Sequence, residues 1–372
     1  MRRSSYLATI LAGVAAFGIA ACGADSSGSG NGGSSSNGTP DPDVSTPSAE
    51  LSGGGSTFDQ PLFTTAFFHY GQLNPKVTVS YAAIGSGKGI TQFQAQSLDF
   101  GATDVPMSAT DLAAAKGGDV AQVPVTLGGV TISYNVSGVS TGLKLTGDVL
   151  ARIFMGQITK WNDSAITSLN SGVNLPDQSI TVVHRSDGSG TTYIFTDYLS
   201  AISPAWLSGP GKGKTVKSWP TGLGGNGNAG VAGLVKQTAG SIGYVELAYA
   251  LQNKFTYAAI KNASGNFVQP SLSTVAADAA AKPNVTASDF SIVNQTGAQA
   301  YPISGYSWVL IYKKQSDSDK GTALVRLFDW VTHSGQSDAK GLDYVPLPSG
   351  IQQLARTALQ QVTDSNGKTL LT

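Results

Sequence analysis

From Leu51 onward, short apolar runs alternate with longer stretches whose apolar positions recur at helical spacing. Val77–Tyr81 alternates polar and apolar residues and predicts a strand, and Gly89–Ala95 predicts the start of a helix. Val123–Val136 is mostly apolar, is broken by Gly128-Gly129, and reads as a strand pair or a crossing segment. Val149–Phe154 predicts a helix, with Asp148 placed to cap it. Ile180–His184 predicts a strand, followed by glycine-rich residues and a helix over Thr191–Ser200. Trp308–Tyr312 has the composition of a buried strand, and Thr322–Thr332 and Ile351–Val362 predict helices. Alternating strands and helices predict α/β layers with largely parallel sheets. No repeat at solenoid spacing is present.

The first fifty residues follow another pattern. Arg2 and Arg3 precede an apolar run, Leu7–Ile19, that is too short to span a membrane. That combination predicts a signal peptide over residues 1–21 rather than a buried N-terminal helix. Ile19-Ala20-Ala21-Cys22 resembles a bacterial lipobox, and Cys22 is the only cysteine. A lone cysteine in an exported chain cannot form an internal disulfide. Lipidation of Cys22 gives it a role and would hold the protein on the extracytoplasmic face of the cell membrane. Gly23–Glu50 is Ser, Gly, Asn, Pro and Asp with little to bury, so residues 22–50 read as a lipidated cysteine and a flexible tether. About 28 residues of such coil reach roughly 30 Å.

Length, at 372 residues, predicts two domains, and 41% hydrophobic against 12% charged residues supports sizeable cores. Formal net charge is zero, which argues against nucleic acid, since a phosphate backbone needs a basic face. Loss of residues 1–21 removes two of the 23 basic residues and no acidic one; 21 basic then stand against 23 acidic, a formal charge of −2. An anion site in such a chain must be built locally, from amides, hydroxyls and single charges.

Four segments place small hydroxyl or glycine residues just before a helical pattern: Gly55–Phe58, Gly85–Gly89, Asp99–Asp104 and Arg185–Thr192. A helix N-terminus offers unpaired N–H groups and a partial positive charge, and glycine lets a ligand approach the backbone. Each segment alone is equally an ordinary helix cap. Gly85–Gly89 is not a nucleotide P-loop: Ala82 stands where the first glycine belongs, and Gly89 follows Lys88 where Ser or Thr belongs. Gly138–Gly142 matches the G-x-S-x-G pattern, but Leu143–Gly147 does not read as the helix a nucleophile elbow requires, so it reads as a loop. His69, His184 and His333 are the only histidines, each read as a surface or satisfied residue, and no spacing suggests a metal site. No cofactor is expected.

Taken together, Gly-Ser-Thr-Phe (55–58), Ile-Gly-Ser-Gly (84–87), Asp-Phe-Gly-Ala-Thr-Asp (99–104) and Arg-Ser-Asp-Gly-Ser-Gly-Thr-Thr (185–192) resemble the phosphate-binding proteins of bacterial phosphate ABC transporters, the PstS family. Ile153–Asn162, Gly240–Glu246 and Leu342–Pro348 extend the resemblance, which runs in family order over about Leu51–Leu371. It implies a bilobed α/β fold of the periplasmic-binding-protein type II class, two α/β domains joined by a hinge that the chain crosses twice. Residues 51–126 and 300–372 would form one lobe and 127–299 the other, with crossings near Thr126 and Ala300.

By the same resemblance, Ser56, Thr57, the Phe58 amide, Ser86, Ser189, Gly190 and Thr191 would contact phosphate oxygens. Arg185 would pair with the anion through its guanidinium fork, with Asp187 orienting Arg185. Asp104 is the distinctive residue, because a carboxylate beside an anion repels it unless the anion brings a proton. Phosphate near neutral pH has one to give and sulfate has none. Two buried acceptors facing each other cost several kcal/mol, on the order of a 10³-fold discrimination. The implied protein is a monomeric, non-catalytic receptor that serves the membrane permease subunits of an ABC importer. The alternative is a phosphatase or other hydrolase sharing the anion pocket, which the absence of an activated nucleophile disfavours.

Overall fold

Strand β1 (Ala49–Gly55) begins inside the stretch expected to be tether. Ala49 and Glu50 pair in parallel with Val77 and Thr78, and alternation places Ala49 and Leu51 inward and Glu50 outward. The tether therefore ends before Ala49 and not at Glu50. The computed structural model describes residues 46–371. The expected signal peptide, Cys22 and most of the tether lie outside the described residues.

Eleven strands follow β1: β2 (Val77–Ala83), β3 (Phe100–Thr103), β4 (Val120–Asn135), β5 (Lys144–Leu145), β6 (Thr181–Arg185), β7 (Leu223–Gly225), β8 (Ser241–Glu246), β9 (Thr256–Tyr257), β10 (Ala259–Lys261), β11 (Phe267–Val268) and β12 (Ser304–Tyr312). The main sheet runs β2-β1-β3-β12-β4-β8-β6-β7, with β9 also on β4, and β11-β10-β5 form a small second sheet. Its flanks are parallel, as expected: β1 with β2 and β3, and β6 with β7 and β8. Its centre is not. β12 runs antiparallel to both β3 and β4, and β4 antiparallel to β8. The reason is topological: β12 returns to the first half of the molecule after an excursion through the second, so no helical crossover sets its direction.

β4 is one continuous strand of 16 residues, where the Gly128-Gly129 pair suggested a break. The glycines accommodate neighbours. A Cβ on Gly128 would lie 2.7 Å from the Phe58 ring, and one on Gly129 would lie 2.7 Å from Val275 Cγ2. Through Gly129, β4 pairs with β12; from Val130 it pairs with β8. The pairing of β4 thus changes partner at Gly129–Val130, where the Val130 amide donates to the carbonyl of Ile303, just before β12 begins. The result is a two-lobed α/β molecule.

Each lobe has an aromatic core. In the first, Phe100 and Phe328 meet edge to face at 4.9 Å, and Phe63 stacks on Phe67 at 4.8 Å. In the second, Phe195 stacks on Tyr244 at 4.4 Å and meets Phe154 at 4.7 Å.

Expected helices are present with shifted starts. The segment after β2 is helical from Ser86, and the segment after β6 from Gly190. Thr146, rather than Asp148, caps the helix Gly147–Phe154 by accepting the Val149 amide at 3.2 Å. The carboxyl ends of the parallel strands β1, β2 and β3 in one lobe and β6 and β7 in the other each lead toward a helix N-terminus. In open α/β sheets ligands bind at such ends.

Candidate functional site

Gly55, at the end of β1, has φ +143°, and a Cβ there would lie 2.0 Å from the Ala102 carbonyl oxygen. Only glycine fits, and its placement turns Ser56 and Thr57 off the strand toward the other lobe. There the lobes meet. Ser86 Oγ accepts the Gly190 amide at 3.1 Å and lies 3.4 Å from the Asp104 amide. Gly87 N–H donates to the Gly188 carbonyl at 2.9 Å. Thr57 Oγ1 accepts from Asn228 N and Nδ2 at 3.1 and 3.0 Å, and Asn228 Nδ2 also donates to Thr191 Oγ1 at 3.1 Å. Tyr249 donates its hydroxyl proton to the Thr57 carbonyl at 2.9 Å. The lobes are closed on each other.

The hydroxyls share one arrangement. Thr57, Ser86 and Thr191 accept the bonds just named, and Ser189 Oγ accepts the Thr192 amide at 3.0 Å as the N-cap of the helix Gly190–Ile202. In each the oxygen is used as an acceptor, and its own proton goes to no acceptor among the described residues. Each therefore has its proton available to donate. All four are buried.

Arg185, 3% exposed, grips Asp187 through Nε to Oδ1 at 2.7 Å and Nη2 to Oδ2 at 2.5 Å. Its Nη1 is buried and has no acceptor among the described residues. Burial pushes the Asp187 carboxyl up, but the Arg185 bonds and charge, with the Gly227 amide at 3.0 Å, outweigh it and leave Asp187 below its ordinary pKa. Asp187 so holds the guanidinium and offsets its charge.

Asp104, 2% exposed, faces Gly190 so closely that a Cβ there would lie 2.5 Å from Oδ2. Its Oδ1 accepts a hydrogen bond from Ser56 Oγ and lies 2.9 Å from Ser307 Oγ. Burial raises its pKa to about 6, while the Ser56 and Ser307 hydroxyls, the Arg185 charge and the Thr191 amide hold it down. Glu246 is also fully buried, and burial followed by the charges of Asp59 and Asp104 pushes it well above the usual carboxylate range, against the Ala248 and Tyr249 amides. The cleft thus contains one strong cation and excess carboxyl groups, so an anion must be held by directed donors.

The structure brings Ser56, Thr57, Phe58, Ser86, Asp104, Arg185, Asp187, Ser189, Gly190 and Thr191 to this one cleft, but not in equivalent roles. Ser56 spends its proton on Asp104 and accepts the Phe58 amide at 2.9 Å. The Gly190 amide is spent on Ser86. In this arrangement the Ser56 hydroxyl, the Phe58 amide and the Gly190 amide tie the site's own residues together. Asn228, Ser307, Asp59 and Tyr249 were not foreseen. Asn228 follows the run Gly222-Leu-Gly-Gly-Asn-Gly227 at the start of a helix, the signal that marked the other segments; Ser307, inside an apolar strand, carries none.

Lys88 is exposed, and Gly138–Gly142 forms turns in which the Ser140 carbonyl accepts a bond from Tyr134. No histidine serves the cleft: His184 stacks on Trp219 at 4.5 Å with Nδ1 3.0 Å from the Arg185 carbonyl, His69 pairs with Asp338, and His333 contacts the Asp329 carbonyl.

Residues 36–333 match the PBP superfamily domain. The chain is 44% identical to the phosphate-binding protein PstS of Xylella fastidiosa over 316 residues, covering 84% of this chain and 85% of that one. It is 43% identical to the phosphate-binding protein PstS of Pasteurella multocida, covering 88% and 95%. Among solved structures, a phosphate-binding protein from Stenotrophomonas maltophilia matches with a TM-score of 0.65 at 19% identity, over 83% of this chain and 93% of that one, a likeness of fold.

Proposed function

This chain belongs to the PstS family of phosphate-binding proteins, and from that premise we propose that it captures inorganic phosphate between its lobes and hands it to the permease subunits of an ABC importer. The observation that carries the reading is the set of buried hydroxyls of Thr57, Ser86, Ser189 and Thr191, each held as an acceptor with its proton free. With Arg185 Nη1 they form a cage of donors matched to a tetrahedral oxyanion. Ser56, the Phe58 amide and the Gly190 amide act at one remove, by fixing Asp104 and Ser86.

Asp104 supplies the discrimination. With its charged form favoured by the Ser56 and Ser307 hydroxyls and the Arg185 charge, it accepts a hydrogen bond from a P–OH group of phosphate and repels an anion that has no proton. The relatives named for phosphate binding support a receptor rather than an enzyme; among the described residues no hydrogen bond joins Ser189 Oγ to a histidine or a carboxylate, and His184 is turned to the Arg185 carbonyl. It works outside the cytoplasm as a monomer, on a membrane anchor at Cys22 followed by the Ser/Gly-rich tether.

Equilibrium dialysis of phosphate-stripped protein against radiolabelled phosphate tests the reading. One ion bound per chain supports it, and no retained label refutes it. Mass spectrometry of the Cys22 fragment from native membranes tests the anchor, and an unmodified thiol there rules it out.

A further inference from the structure

Asp59 is the N-cap of the helix Gln60–Leu73, yet its side chain caps nothing. An aspartate in that position ordinarily accepts the first helical amides. Asp59 turns instead beneath the cleft, where Oδ2 lies 2.6 Å from Ser307 Oγ. The same hydroxyl lies 2.9 Å from Asp104 Oδ1. One hydroxyl carries one proton and cannot donate to two carboxylates. Both contacts are hydrogen bonds only if a second proton sits on Asp59 or on Asp104.

The surroundings decide which. Asp104 Oδ1 also receives the Ser56 hydroxyl, and Arg185 favours its charge. Asp59 is fully buried, and its Oδ1 makes no hydrogen bond to any described residue. The titratable groups around it are Asp104 and, from other elements, Glu246, Tyr81, Tyr249 and Tyr344, none of which can bring positive charge. Burial, then the Asp104 charge, pushes Asp59 well above the carboxylate range, against the hydroxyls of Ser307 and Thr126.

We propose that Asp59 is a positioning residue that holds the proton of an Asp59–Ser307–Asp104 chain: Asp59 donates to Ser307, Ser307 donates to Asp104 Oδ1, and Asp104 Oδ2 is left as the acceptor for the ligand's P–OH. The consequence for binding rests on the phosphate reading, whereas the location of the proton is a property of the protein alone. When Asp59 ionises, the closer Ser307 hydroxyl turns to it, Asp104 loses a donor, and two like charges stand behind the anion. Phosphate affinity then falls at alkaline pH by more than the ligand's own titration explains.

Aspartate γ-carboxyl 13C NMR of the stripped full chain reads the proton directly. Asp278 also titrates high, at about 8, so Asp278→Asn is the background. In it, one protonated aspartate resonance persists at neutral pH, and adding Asp59→Asn removes it. If every aspartate there is ionised, the proposal falls, whether or not the protein binds phosphate. Should the Asp59→Asn protein not fold, Ser307→Ala takes its place; that variant must shift the resonance, and an unmoved one overturns the assignment. Binding supplies the second arm. The asparagine amide can donate to Ser307 but cannot ionise, so Asp59→Asn loses a smaller fraction of its own pH 7 phosphate affinity on the alkaline side than the parent does. Identical alkaline losses in both proteins would show that the chain does not reach the ligand.

Discussion

Ser86 Oγ, at the start of a helix in one lobe, accepts the amide of Gly190, at the start of a helix in the other, at 3.1 Å. One hydroxyl thereby latches the lobes and keeps its own proton uncommitted among the described residues. Ser86→Ala removes the latch and a donor together. Phosphate affinity should drop about 10- to 100-fold, read by calorimetric titration, with the fold retained.

Asn228 joins Thr57 to Thr191 across the cleft and accepts the Glu246 amide at 3.0 Å through Oδ1. In Asn228→Ala the two threonines lose the donors that orient them. Affinity should fall at least about 10-fold, and faster dissociation in stopped flow should account for most of the loss.

Arg185→Lys keeps the charge and loses the fork. A single ammonium cannot hold both Asp187 oxygens and also reach the ligand, so affinity should fall by about 100-fold. The same variant should be less resistant to acid. Asp187 has a lowered folded pKa, so its contribution to stability is complete above its unfolded value and is lost as pH falls through the folded one. With the fork gone, the acid-unfolding midpoint followed by circular dichroism should move to higher pH.

Much of this site is legible in the sequence because its residues sit where strands of a parallel sheet hand over to helices, and those junctions advertise themselves with glycine and hydroxyl residues. Thr57, Ser86, Asp104, Arg185 and Ser189 are all of that kind. What the sequence hides is set by register and burial. Ser307 reaches Asp104 only because β12 returns antiparallel beside β3 and β4, and nothing local in Ser304–Tyr312 announces it. Asp59 looks like an ordinary cap until its side chain is seen to turn away from its helix. The commitment of the Gly190 amide to Ser86 likewise depends on how the lobes close.

Asp278 has a carboxyl pushed to about 8 by burial, against the Ser304 hydroxyl and the Gln295 amide, and its Oδ2 has no partner among the described residues. A raised folded pKa favours the folded state below the unfolded value, and that contribution is lost as pH rises through the folded one. Stability should therefore decline between about pH 4 and pH 8 through this group. Asp278→Asn should raise the Tm by several degrees at pH 8 and leave it nearly unchanged at pH 4, as measured by calorimetric melting.

The selection of a protonated oxyanion by Asp104 is tested most directly by titrating phosphate-stripped protein and its Asp104→Asn variant with phosphate and with sulfate at pH 7. The parent should bind phosphate one to one and give no signal with sulfate, and the variant should gain sulfate binding. Equal binding of both anions by the parent, or a variant that still refuses sulfate while binding phosphate, would contradict the account.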